Sequence, residues 1–168
     1  VMEAGVLWRE AEKDGNPWGL RFMAMFHMAN DSGLFRTSNE LESAGWTLTG
    51  NRFRHGDESM VPLYEAKMAD HFDHRYASLV GVENAVGRVS RKLIGWYSAV
   101  YADENEAALP QYWIDQREVE ARLADRWSRG WLLGWRDICR STDQRTVVAS
   151  AIPRAAAAAS STAPGRRA

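Results

Sequence analysis

The apolar residues of this chain come in short runs that end at turn signals, and this pattern constrains the fold most. None of the runs reaches the length of about 18 residues that a transmembrane helix needs, so no membrane span is predicted. Runs of about four to eight apolar and β-branched residues between Gly, Pro, Asn or Asp are typical of strands. The sequence therefore predicts an α+β fold of short, mostly antiparallel strands with about three helices.

Several segments are predicted to form these strands. In residues 16–35, apolar residues occupy both alternation phases, which favours a strand that is buried on both faces, with a buried helix as the alternative. Residues 46–56 place Thr-Gly-Asn between two alternating stretches and predict a hairpin. Residues 109–114 predict a short strand, and residues 131–138 and 145–152 predict an antiparallel pair joined by a polar loop.

Three segments are predicted to be helical. The first, 37–45, starts with the Thr-x-x-Glu spacing of a capping box at Thr37. The second, 82–104, has apolar residues at helical spacing, and a third helix is capped by Asp115 and ends near Gly130. The apolar positions are Val89, Leu93, Tyr97 and Val100 in the second helix and Val119, Leu123 and Trp127 in the third.

The last fifteen residues differ in composition from the rest of the chain. A chain of 168 residues is long enough for one domain, and we predict that this domain covers residues 1–153. Residues 154–168 consist mostly of Ala, Ser, Pro, Gly and Arg, which bury too little apolar area to offset the entropy of the chain. We therefore predict a disordered C-terminal tail.

Composition limits the classes of function. The single cysteine, Cys139, excludes an internal disulfide and a zinc site built from several thiolates, and it favours a cytoplasmic protein. The formal net charge is -1, whereas free-standing nucleic-acid binders are usually basic because phosphate neutralisation supplies most of their affinity. The charge therefore argues mildly against autonomous DNA binding.

The segment "PLYEAKMADHFDHR" (62–75) concentrates side chains that are able to bind a metal ion. His71, Asp73 and His74 lie within four residues of one another. On a helix, His71 and His74 lie on one face and Asp73 points elsewhere. On a strand, His71 and Asp73 lie on one face and His74 points to the other. Neither a helix nor a strand therefore brings all three side chains together. We predict no metal ligand here, with a small metal-dependent nuclease as the alternative. The histidines that are able to complete such a site are His27 and His55.

Arginines are concentrated near the C-terminal hairpin. Arg136, Arg140 and Arg145 lie on or around its predicted loop, where guanidinium groups are able to reach phosphates or guanine edges. The alternative is a solvated, salt-bridged surface, and composition alone favours that alternative.

Four blocks of the chain, spanning roughly residues 14–156, resemble one region of a known family. The family is that of the large bacterial N-6 adenine-specific DNA methyltransferases, the Type IIG-like restriction-modification and phage-exclusion enzymes, and the region follows their catalytic domain. There "PLYEGKM" and "FDHR" lead into the target-recognition region, and here Ala66 replaces the glycine. The blocks are "NPWGLRFMAMFHMANDSGLFRT", "VPLYEAKMADHFDHRYAS", "PQYWI" and "RGWLLGWRDICRSTDQRTVVASAIPRA".

The resemblance implies a parent enzyme that methylates adenine in duplex DNA with S-adenosylmethionine, in some members coupled to cleavage. The cofactor loop and the catalytic loop would precede Val1, so we expect an incomplete domain that binds no cofactor and has no catalytic residue. Its expected partners are double-stranded DNA and the catalytic and recognition domains of the same protein, with no membrane. The residues expected to contact the DNA backbone are Lys67, His74, Arg75, Arg136, Arg140 and Arg145.

The C-terminal end departs from the family pattern. After the Pro-Arg pair the family continues with an ordered stretch similar to "GVGNKLP", whereas polyalanine follows here from Ala155. We expect that the reading frame was lost near residues 154–156. A structural module that does not contact DNA is a further alternative, which the net charge of -1 allows.

Overall fold

The computed structural model of this chain is mixed α and β, and most of its elements are strands. The residues that it describes are 9, 15–17, 22–83, 89–95, 107–136 and 147–159. Their strands are β1 (Phe26–His27), β2 (Thr47–Thr49), β3 (Arg52–His55), β4 (Glu58–Tyr64), β5 (Ala77–Glu83), β6 (Val89–Gly95), β7 (Trp113–Asp115), β8 (Trp131–Trp135), β9 (Ala149–Pro153) and β10 (Ala156–Ala159). Their two α-helices are α1 (Ser38–Ser43) and α2 (Gln116–Leu123).

Strand β4 is the centre of the largest sheet. It pairs antiparallel with β3 and with β7, and it pairs parallel with β10, where Leu63 faces Ala156. β10 in turn pairs parallel with β1, and β2 pairs with β3 at the other edge of the sheet. β5 with β6 and β8 with β9 form two separate antiparallel pairs.

The apolar end of β4 is buried on both faces. Val61 and Leu63 belong to one hydrophobic cluster, which includes Phe26 and the buried side of α2. Met60 and Tyr64, which point to the opposite face, belong to two other clusters. A strand that is covered on both sides has a continuous apolar run rather than an alternating one, as "MVPLY" has.

Local signals in the sequence predicted several elements correctly. The capping box at α1 is present, since Glu40 N–H donates to Thr37 Oγ1 at 3.4 Å and Thr37 N–H donates to Glu40 Oε2 at 2.7 Å. The predicted hairpin forms from β2 and β3, with Gly50 at a φ of +62° in the turn. The predicted antiparallel pair of β8 and β9 is also confirmed.

Other predicted elements are shorter in the structure. Asp115 does cap α2 by accepting the Arg117 N–H at 2.8 Å, but the helix ends at Leu123 rather than near Gly130. The strand predicted within residues 16–35 is limited to β1, and residues 18–21 lie outside the described residues. The strand predicted at 109–114 covers only Trp113–Asp115.

The helix predicted at residues 82–104 was wrong. Residues 77–83 and 89–95 form the antiparallel strands β5 and β6, in which Val80 pairs with Lys92. Val89 and Leu93 are four residues apart, a spacing that fits one face of a strand as well as one face of a helix. Residues 84–88 and 96–104 lie outside the described residues.

The prediction of a disordered tail from residue 154 was also wrong for its first six residues. Ala156–Ala159 form β10, which lies between β1 and β4, and Ala155 and Ala156 are fully buried. Alanine loses no side-chain entropy when it is buried, and two neighbouring strands satisfy its backbone hydrogen bonds. The ordered part of the chain therefore extends past residue 153, and residues 160–168 lie outside the described residues.

Arg154 fixes the turn that leads into β10. Its guanidinium donates to both carboxylate oxygens of Glu120, to the Trp127 carbonyl at 2.6 Å and to the Arg129 carbonyl at 3.1 Å. The hydrogen bonds from Arg154 hold the pKa of Glu120 below its usual value. One side chain thus joins α2, the segment after it and β10.

We predict that Arg154→Lys lowers the free energy of unfolding by about 1–3 kcal/mol, because a lysine ammonium is unable to serve the carboxylate and both carbonyls at once. Urea unfolding followed by tryptophan fluorescence measures the change. Arg117→Lys is the matched control, since Arg117 pairs with Asp115 and Glu58 on the exposed surface. An effect at Arg117 as large as that at Arg154 would contradict the prediction.

Candidate functional site

The chain after β4 folds into a compact loop, which we call loop 65–75. It begins with a single 3-10 turn at Ala66–Met68, in which Met68 N–H donates to the Glu65 carbonyl at 2.9 Å. Met68 is fully buried and anchors the turn in the core, whereas Lys67 beside it is exposed. The turn therefore presents a cation on a fixed backbone.

The second half of loop 65–75 is closed by two aspartates. The backbones of Asp70 and Asp73 exchange two hydrogen bonds, at 2.7 and 3.0 Å. The Asp70 carboxylate accepts the His71 N–H at 2.8 Å, and the Asp73 carboxylate accepts the Arg75 N–H at 2.8 Å. Short side-chain bonds of this kind stabilise turns, so both carboxylates support the local backbone.

Loop 65–75 is held against the β8–β9 hairpin. Arg136, directly after β8, donates to the Ala66 carbonyl at 3.0 Å and to the Ala69 carbonyl at 2.8 Å. At the start of β9, the Ala149 carbonyl accepts the Phe72 N–H at 2.9 Å. The segments "WLLGWR" (131–136) and "AKMADHF" (66–72) thus meet in space, although they are about 60 residues apart in the sequence.

The predicted DNA-contact residues occupy different positions relative to this loop. Lys67 is exposed, and His74 and Arg75 are half-buried at its end. Arg136 lies under the loop, and its guanidinium bonds to the loop's carbonyls as described above. Arg140 and Arg145 lie outside the described residues.

The surroundings of His74 lower its pKa. Burial is the main cause that lowers its pKa below the ordinary value of 6.5, and the positive charge of Arg75 lowers it further. The carboxylate of Asp73 raises the pKa, but by less than these two effects lower it. At neutral pH His74 is therefore an uncharged imidazole that offers one hydrogen-bond donor and one acceptor.

The side chains proposed for a metal site are engaged in other contacts. The His71 ring packs on Phe72 with 3.9 Å between ring centres, and its Nδ1 atom lies 3.5 Å from the Ala149 nitrogen. Asp73 accepts the Arg75 N–H. In the part of the chain that the structure describes, no group of three or more His, Cys, Asp or Glu side chains is placed to hold a metal ion. Cys139 lies outside that part.

A cleft of about 370 Å³ lies beside loop 65–75. Its walls come from residues 22–27, from the end of β4 with the first half of the loop, from the β8–β9 hairpin and from β10. Small residues line much of it, including Gly134 and the alanines of β10. Sequence reasoning missed this cleft, because one of its walls is β10, a strand that the sequence did not predict.

Aromatic side chains stand at the mouth of the cleft. Phe22 and Trp135 meet edge to face with 4.9 Å between ring centres, and they are 57% and 45% exposed. Trp131, Leu133 and Trp135 are all exposed, because alternate residues of β8 point away from the core. The segment "WLLGW" is apolar at both alternation phases, so the sequence does not mark this face of β8 as exposed.

The cleft also has polar walls. Glu65, Asp70 and His27 line it, and Glu65 Oε1 is buried. Tyr64 lines it as well, and burial raises the pKa of its hydroxyl to about 12, so this group stays neutral at physiological pH. The lining thus combines an apolar surface with acidic groups and one neutral phenol.

Comparison with known proteins assigns no family to this chain. No protein-family model, no curated protein and no solved structure matches it. The resemblance to adenine-specific DNA methyltransferases therefore stays a prediction. Among the described residues, no helix is long and apolar enough to cross a membrane.

We predict that His74 makes the protein less stable in acid. Its pKa is lowered in the folded state, so the unfolded chain takes up the proton first, and the stabilisation present above about pH 6.5 is lost as the pH falls. His74→Gln is expected to flatten the dependence of the unfolding free energy on pH between about pH 7 and pH 5. His55→Gln, at an exposed position of β3, is the control, and an equal flattening there would contradict the prediction.

Proposed function

We propose that this chain positions duplex DNA as a non-catalytic module of an N-6 adenine-specific DNA methyltransferase, of the restriction-modification or phage-defence type. One observation carries the proposal. Arg136 and β9 hold loop 65–75 in place, and this loop presents Lys67, His74 and Arg75. This loop contains "EAKM" and "FDHR", which are parts of the sequence on which the resemblance rests.

These side chains are better suited to contact DNA phosphates than to recognise the base sequence. Lys67 is an exposed ammonium on a turn whose backbone is fixed by buried Met68 and by Arg136. Contacts of this kind set the position of a duplex and carry no sequence information themselves. With a net charge of -1 for the chain, the attraction to DNA is local and depends strongly on salt.

The six proposed contact residues have unequal roles. Lys67 and Arg75 supply positive charge, whereas His74 is neutral at pH 7 and supplies a hydrogen bond. Arg136 acts through the loop carbonyls that it holds, so it is a positioning residue. Arg140 and Arg145 remain proposed contacts from the sequence alone, because they lie outside the described residues.

The methylation reaction of the parent enzyme is assigned to its catalytic domain and not to this chain. S-adenosylmethionine would be bound by the catalytic domain, and this chain is proposed to connect that domain with the recognition domain along the DNA channel. No catalytic residue is assigned to this chain. The nuclease alternative has no support from the described residues, where His71 and Asp73 bond to the protein backbone.

We predict that the chain binds a short fluorescent DNA duplex at low salt. Lys67→Gln and Arg75→Gln are each expected to weaken binding and to reduce the slope of log K against log salt by about 1, because each removes one phosphate contact. His74→Gln at about pH 7.5 is expected to leave that slope unchanged, since the imidazole is neutral there. Fluorescence anisotropy across a salt series measures all three variants.

The matched control is Arg54→Gln, which removes an exposed arginine on β3, away from loop 65–75. It is expected to change neither the affinity nor the slope beyond a small uniform effect. An equal loss in Arg54→Gln would show that binding follows net charge alone. No binding at low salt would favour the structural module without DNA contact.

A further inference from the structure

Phe72, in the second half of loop 65–75, is the most exposed of the large apolar residues that the structure describes. It is 85% exposed, whereas the next of them, Val147, is 60% exposed. A single exposed apolar side chain is common on protein surfaces and by itself indicates no function. The backbone conformation of Phe72 is what makes its exposure informative.

Phe72 occupies a position in a tight turn where glycine is the usual residue. Residues 70–73 form this turn, which is closed by the Asp73 N–H donating to the Asp70 carbonyl at 3.0 Å. Phe72 is the third residue and has a φ of +63°, whereas the φ of His71, the second residue, is not positive. This is the pattern of a type II turn, whose third position favours glycine because a Cβ atom is crowded at positive φ.

The other described residues with a positive φ are suited to that conformation. One is Asp125, whose short polar side chain tolerates it, and the others are Gly45, Gly50 and Gly56. A phenylalanine at such a φ is an outlier that destabilises the fold, and it persists only where the surroundings impose the backbone. Glycine would relieve this strain, so the fold does not account for the aromatic ring.

The surroundings of Phe72 do impose its backbone. The Phe72 N–H donates to the Ala149 carbonyl at 2.9 Å, and the Asp70 N–H donates to the Asp73 carbonyl at 2.7 Å. The His71 ring packs beside the Phe72 ring with 3.9 Å between ring centres, and its Nδ1 atom lies 3.5 Å from the Ala149 nitrogen. The Phe72 ring is therefore supported by His71 on a fixed backbone, and most of its surface still faces solvent.

We propose that Phe72 is an apolar wedge, a side chain that inserts between two stacked base pairs of the DNA duplex held by loop 65–75. Phenylalanine and leucine are among the side chains with which DNA-binding proteins partly unstack a base step and bend the duplex. Insertion removes the exposed ring from water, and glycine at this position is unable to make such a contact. This proposal rests on the proposed function, because Lys67 on the same loop supplies a phosphate contact beside the wedge.

The test is a titration of the 168-residue chain with a fully paired duplex and with the same duplex carrying one central mismatch. The chain is expected to bind the mismatched duplex at least about threefold more tightly, because a mismatched base is easier to unstack. Phe72→Ala is expected to lose this preference and to bind the mismatched duplex at least about fivefold more weakly. The slope of log K against log salt is expected to stay unchanged in this variant, since no charge is removed.

A 2-aminopurine base beside the mismatch reports insertion directly, because its fluorescence rises when it is unstacked. The chain is expected to increase this fluorescence, Phe72→Ala to leave it at the level of free DNA, and Phe72→Leu to retain part of the increase. The matched control is Leu48→Ala, which removes an exposed apolar side chain of β2 and is expected to change neither binding nor fluorescence.

Phe72→Gly separates the wedge from the fold. It is expected to unfold at the same urea concentration as the unaltered chain or at a higher one, because glycine adopts a positive φ without strain. It is also expected to bind the mismatched duplex as weakly as Phe72→Ala does. A variant that keeps its fold and loses this binding shows that the ring acts on DNA and not on stability.

Equal binding of the two duplexes by the unaltered chain, or equal losses in Leu48→Ala and Phe72→Ala, would overturn the wedge. Sedimentation that shows a dimer which Phe72→Ala separates would also overturn it, because a second copy would then cover the ring. Salt-dependent duplex binding that Lys67→Gln weakens and Phe72→Ala does not would overturn the wedge and leave the proposed function standing. No binding of either duplex at low salt would overturn both.

Discussion

The insertion of Ala156–Ala159 as a parallel strand between β1 and β4 is the constraint on which the rest of the structure depends. Without β10, β1 would lose the strand with which it pairs among the described residues, and the apolar side of β4 would lose Ala156 from its cluster. Arg154 brings the chain to this position by bonding to Glu120 and to two carbonyls after α2. Four alanines fit here because they fill little space and because both neighbouring strands satisfy their backbone.

The functional features are consequences of the same arrangement. β9 leads directly through Arg154 into β10, and the β8–β9 hairpin also holds loop 65–75 through Arg136 and Ala149. The cleft lies where these pieces meet, and its room comes from the small residues of β10 and from Gly134. A shift of β10 would therefore disturb both the proposed DNA-contact loop and the cleft beside it.

Most of the elements that were predicted correctly from the sequence were predicted from local signals. The capping box of Thr37 and Glu40, the cap at Asp115 and the two hairpins each depend on residues that are close in the chain. The helix predicted at 82–104 failed because a four-residue spacing of apolar side chains fits a strand as well. The polyalanine strand and the cleft depend on pairing between residues about 100 apart, which composition does not reveal.

The central claim is that loop 65–75 is the part of this chain that meets DNA. Amide hydrogen exchange of the whole chain, measured with and without duplex DNA at low salt, tests it most directly. The account predicts that the duplex slows exchange in loop 65–75 while the β2–β3 hairpin exchanges at the same rate in both samples. Unchanged exchange in the loop under conditions where DNA is bound, or protection confined to the β2–β3 hairpin, would contradict it.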